Sequence, residues 1–82
     1  MPLRSIDEQH FYLDDKLIDL VWIGHKTQKQ INAANYHHMN RSLRWLNKLA
    51  ARLVCGDVTQ DDEQQVRKQL TVLGLDWTLE GG

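Results

Sequence analysis

The chain has 82 residues, 41% hydrophobic and 26% charged, with a formal net charge of −1; that length makes one domain, 1–82, which buries only about 60% of its unfolded surface. A near-neutral balance excludes a protein that binds nucleic acid or anionic lipid through overall basicity, and a single cysteine, Cys55, excludes an internal disulfide and points to a reducing, cytoplasmic compartment. No secretory leader is legible in MPLRSIDEQHF, and the longest apolar run, Leu20 to Ile23, is far short of the ~20 residues of a membrane helix.

Ser5 with Glu8 three residues on has the form of a capping box, in which hydroxyl and carboxylate each satisfy an unpaired backbone N–H. A first helix is therefore expected over about 5–23, with Ile6, Leu13, Leu17, Leu20 and Gly24 on one side and Phe11, Ile18 and Trp22 widening it. The competing reading is a β-hairpin. HFYL and KLIDLVWI are rich in β-branched and aromatic residues, and Asp14-Asp15 has the chemistry of a turn.

Gly24 suits a left-handed helix cap, and Thr27 with Gln30 repeats the capping-box spacing, so a second helix is expected over about 28–55. At ~1.5 Å per residue it reaches roughly 40 Å against about 28 Å for the first. The mismatch has two resolutions: a break near Asn35, where Asn32, Asn35 and Asn40 compete with the backbone, or an overhang that packs on a second copy as a homodimer. Along this stretch Tyr36, Met39, Leu43, Leu46, Ala50 and Leu53 step by three and four and form an apolar stripe. Ala34, Trp45 and Leu49 widen it. Arg41, Arg44, Lys48 and Arg52 recur at the same steps as a basic ridge.

Gly56 and Asp57 end that helix. Thr59, followed by Gln60, Asp61, Asp62 and Glu63, places acids at the positive end of a helix dipole, so a third helix is expected over about 60–73, burying Val66, Leu70 and Leu73. Gly74 then Leu75 reads as its end. Leu75, Trp77 and Leu79 alternate with polar residues in an extended tail, 75–82. The expected architecture is all-α: a small three-helix bundle with a long central helix.

Charge is unevenly placed. Met1 to His25 carries −3, Lys26 to Gly56 carries +6 with no acid, and Asp57 to Gly82 carries −4. The ridge Arg41, Arg44, Lys48 and Arg52 is the candidate surface, able to meet successive phosphates or an acidic strip on a protein, with Asn40 and Asn47 near enough to add hydrogen bonds. The bland alternative is neutralisation at home by Asp14, Asp15, Asp19, Asp61, Asp62 and Glu63. Trp22, Trp45 and Trp77 read as core, one per element, with Trp77 the candidate partner anchor. Cys55 reads as a small buried residue.

No catalytic or cofactor motif is legible. Glycine-rich phosphate loops, nucleophile elbows and helical zinc-binding pairs are missing, and adjacent His37 and His38 diverge by about 100° on a helix and do not chelate one ion. His10 and His25 read as surface or half-buried histidines. No enzyme activity, metal or cofactor is expected. The sequence points to a small cytoplasmic interaction protein whose basic helix docks on an acidic protein surface. The alternative is a nucleic-acid-binding regulator using the same ridge; a third possibility is a structural subunit of a larger assembly.

Overall fold

A computed structural model describes residues 3–74. The chain is α+β, and the all-α bundle expected from sequence is corrected: a three-stranded antiparallel meander, β1 (Leu3–Ser5), β2 (His10–Leu13) and β3 (Lys16–Asp19), precedes three helices, α1 (Leu20–Gln30), α2 (Tyr36–Val54) and α3 (Gln60–Leu73). The extended tail 75–82, Trp77 with it, lies outside the described residues.

The expected helix over 5–23 is replaced by the hairpin and the start of α1. Phe11, Leu13 and Ile18 are essentially fully buried while Tyr12 and Leu17 turn to the opposite face, the period-two pattern of a sheet with one face on the core. Phe11 pairs with Ile18 and Leu3 with Leu13. Asp14 and Asp15 form a two-residue loop with Asp14 at φ 56°, a left-handed position that a short polar side chain tolerates. Ser5 caps nothing; it ends β1 opposite Phe11. The helix start lies at Asp19, whose Oδ1 accepts the N–H of Val21 at 3.0 Å and of Trp22 at 3.2 Å.

The expected helix over 28–55 is also corrected. Gly24 and Thr27 lie inside α1, and that helix ends at Gln30 with Ile31 as its C-cap. Asn32 and Asn35 then tie a turn: Asn32 Oδ1 accepts the N–H of Ala34 (2.9 Å) and Asn35 (3.2 Å), while Asn35 Oδ1 accepts the N–H of Asn32 (2.8 Å). The backbone competition of asparagine thus breaks the helix, and the overhang that favoured a dimer is removed. At its far end α2 passes into Gly56 at φ 77°. Cys55 beside it is exposed, contrary to the buried position expected.

One hydrophobic cluster joins all six elements, from Leu3, Phe11, Leu13 and Ile18 on the sheet to Leu20 and Ile23 on α1, Met39 to Leu53 on α2, and Val66, Leu70 and Leu73 on α3. Trp22 and Trp45 lie half-buried against it. α2 packs on α1, α3 and β1, so its outward face is what the fold presents. Among the described residues no helix is long and apolar enough to cross a membrane.

Candidate functional site

α2 turns Met39, Leu43, Leu46, Leu49, Ala50 and Leu53 into the core. Three of the four ridge residues, Arg41, Arg44 and Lys48, stand exposed on the opposite side. Their steps of three and four from one another place them in one row. His37 precedes Arg41 by four residues, is exposed, and extends the same row. From sequence His37 reads only as a histidine that does not chelate with His38; the four-residue step to Arg41 is the signal that places it in the row. Tyr36, expected in the apolar stripe, is 49% exposed, its ring edge-on to His37 at 5.4 Å.

Arg52 differs from its neighbours in the ridge. Its Nη2 lies 3.2 Å from Asp62 Oδ1, and the same carboxylate accepts the backbone N–H of Thr59 at 2.9 Å. The Thr59 amide, opposed by desolvation and reinforced by Arg52, holds the Asp62 carboxyl below its ordinary value. Arg52 therefore belongs to the α2–α3 junction. Neutralisation at home reaches no further: among the described residues Arg41, Arg44 and Lys48 have no ion-pair partner. Asp14, Asp19 and Glu63 are used elsewhere. Asp14 and Glu63 both accept from Arg67, at 2.6 and 3.2 Å, tying the β2–β3 loop to α3 and raising the Arg67 guanidinium above its ordinary value, Asp14 contributing most. Asp19 faces His10 at 3.2 Å.

Two hollows flank the exposed face. Tyr36, His37, Asn40, Arg41 and Arg44 line a depression of about 370 Å3 at the N-terminal end of α2, and His37, His38 and Arg41 line a smaller one of about 240 Å3 beside it. Toward the other end, Asp7, Glu8 and Gln9 of the β1–β2 loop and Asn47 and Ala51 of α2 enclose a cleft of about 610 Å3. The cationic surface is thus short. It is bounded by carboxylates at Asp7 and Glu8 on one side and by the Arg52–Asp62 pair on the other.

The arrangement can bind and hold an anionic group; nothing in it pairs a nucleophile with a base. His10 is the histidine with carboxylate partners: its Nδ1 lies 2.9 Å from Asp7 Oδ1 and its Nε2 3.2 Å from Asp19 Oδ1. The described residues hold no group of three His, Cys, Asp or Glu side chains placed to share a metal ion. Comparison with family profiles, with curated proteins and with solved structures finds no match for this chain.

Proposed function

We propose that this chain is a small cytoplasmic interaction protein that binds another protein by laying the outward face of α2 on an acidic strip, modulating it by occupancy with no chemical step. The observation that carries the reading is the exposed row of Arg41, Arg44 and Lys48 without an acidic partner among the described residues. Cations without an ion-pair partner among the described residues are available to a second protein, where charge complementarity sets orientation and encounter rate.

The shortness of the row favours a protein over a nucleic acid. A phosphate backbone is a long track of like charge, and binding it rewards cations spread along its length. Here Asp7 and Glu8 stand beside Asn47 and Ala51 on the same helix, where they repel a strand continuing past Lys48. A compact acidic segment avoids them. The free thiol Cys55 agrees with a reducing compartment.

The test is affinity capture of the chain from its native cell, with and without nuclease, using wild type and a doubly reversed Arg41→Glu, Lys48→Glu variant. A stoichiometric protein that survives nuclease and is lost from the variant is the expected result. Recovery of nucleic acid, with co-purifying proteins vanishing on digestion, overturns it in favour of a nucleic-acid-binding regulator, whose affinity then falls steeply with salt.

A further inference from the structure

The chain has five arginines and four asparagines, and the fold employs most of them. Arg4 lies over the Tyr12 ring, Arg52 and Arg67 hold carboxylates, Asn32 and Asn35 tie their turn, and Asn47 donates to Leu43 O. Three remain. The side chains of Asn40, Arg41 and Arg44 have no hydrogen bond or ion pair among the described residues, and all three line one depression together with Tyr36 and His37. Tyr36, Asn40 and Arg44 follow at steps of four, and His37, Arg41 and Arg44 at steps of four and three, so two neighbouring rows of α2 converge on Arg44. Arg41 and Arg44 stand three residues apart, their Cβ atoms about 5–6 Å from each other, which lets both guanidiniums meet one group between them. No carboxylate competes for them there: no acid lies among the lining residues, in the first turn of α2, or anywhere from Lys26 to Gly56.

We infer that this depression seats a phosphate monoester, a phosphorylated side chain carried on an acidic segment of the partner protein. The inference rests on the docking reading and sharpens it. A carboxylate has one charge and two oxygens, which a single guanidinium fork satisfies, leaving the second arginine over. A phosphorylated side chain carries a charge of about −1.5 to −2 and three acceptor oxygens, enough for both forks at once, with the Asn40 amide and the Tyr36 hydroxyl as further donors. Lys48, four residues beyond Arg44, lies about 6 Å farther along the helix, where it meets the next acid of the same segment.

The shape of the site argues for a phosphate held on a protein. A site for a free small molecule buries about 70–90% of its ligand, whereas all the lining residues here come from one helix, and Tyr36, His37, Arg41 and Arg44 are exposed. A nucleic-acid strand presents its singly charged diesters in a long series, which Asp7 and Glu8, beside Asn47 and Ala51, oppose past Lys48.

The test is an NMR titration of the isotope-labelled full chain with a short peptide of glutamates and glycines bearing phosphoserine, serine or glutamate at its centre. The phosphoserine peptide is expected to bind about tenfold tighter than the glutamate peptide and to move the signals of Tyr36 to Arg44. Arg41→Gln and Arg44→Gln each abolish that preference, and Arg41→Lys, which keeps the charge and loses the fork, weakens it. Lys48→Gln weakens all three peptides alike and keeps the preference. Both arginines are exposed, and unchanged signals from β2, β3 and α3 report that the variants are folded. Equal affinity for the phosphoserine and glutamate peptides overturns the inference and leaves the docking reading standing, whereas that reading fails separately, in partner capture indifferent to the reversal of Arg41 and Lys48. A preference that survives Arg44→Gln, signals that move only outside Tyr36 to Arg44, or no binding of any peptide also overturns the inference. A single-stranded RNA that binds at the same signals more tightly than the phosphoserine peptide overturns it in favour of phosphodiesters.

Discussion

Thr27 lies fully buried on α1 with no hydrogen-bond partner for its Oγ1 among the described residues, and a hydroxyl taken out of water without a new hydrogen bond costs about 1–3 kcal/mol. Thr27→Val keeps the branched shape and removes the stranded group. It is expected to stabilise the chain by about 1 kcal/mol, raising the urea midpoint at unchanged slope; a lowered midpoint would show that the hydroxyl is satisfied in solution. From sequence the same threonine reads as a helix cap, because Thr27 with Gln30 repeats a local spacing. What removes it from that role is tertiary: Ile23 and Leu20 on the same side of α1 draw position 27 into the core. Asp19 shows the converse. It occupies a cap that its own neighbours do not announce, since Ser5 and Glu8 offer a stronger local pattern fourteen residues earlier. Cys55 follows the same rule, because a helix-end cysteine reads as buried by composition and is exposed by the course of the chain into Gly56.

The hairpin and α1 are joined by one imidazole. His10, on β2, meets Asp7 in the preceding loop and Asp19 at the α1 cap, so its protonation state acts on two elements together. The hydrogen bond that the His10 imidazolium donates to Asp7, opposed by desolvation and reinforced by the Asp19 charge, raises His10 above its ordinary value. The Gln9 amide, and then His10, hold the Asp7 carboxyl below its own. A raised histidine contributes stability in full below its unfolded value near 6.5 and loses it as pH climbs through the folded one; a depressed carboxylate contributes above about 4 and loses it as pH falls. The clamp is therefore strongest between about pH 4 and 6.5. Urea midpoints of wild type and His10→Gln are expected to differ most near pH 5.5 and to converge above pH 8. A difference that grows with pH would mean the neutral ring is the form that stabilises.

This hairpin is also where sequence reading failed at the level of elements. Leu13, Leu17 and Leu20 satisfy a helical spacing of four and three while Phe11, Leu13 and Ile18 satisfy the strand's alternation, and short apolar runs do not separate the two. The β-propensity of HFYL and KLID and the turn chemistry of Asp14-Asp15 were the better signals, because they are local and the structure uses them as they stand. The asparagines at 32 and 35 were legible for the same reason. The ridge on α2 could be read because an amphipathic helix fixes its own faces. Its limits could not: Arg52 is claimed by Asp62 from α3, and Asp7 and Glu8 arrive beside Asn47 only through the placement of β1.

At the scale of the whole molecule, one core serves every element, and Leu46 sits at its centre, fully buried on the helix that packs on α1, α3 and β1. A chain of this size holds a net stability of about 4–12 kcal/mol at roughly 0.05–0.15 kcal/mol per residue. Leu46→Ala removes about 2–5 kcal/mol by lost burial and the cavity left behind, a large share of the total. Since the buried strand residues Phe11, Leu13 and Ile18 belong to the same cluster as Leu46, the loss cannot be confined to α2. Amide hydrogen exchange measures this element by element. The slowest amides of β2, β3 and α2 are expected to lose protection by the same free energy in Leu46→Ala. Strand amides that keep wild-type protection while α2 opens would show that the meander folds as a separate unit. The docking reading draws on the same core, because a fixed junction between the β1–β2 loop and α2 keeps Asp7 and Glu8 beside Asn47 and Ala51, where they end the cationic row.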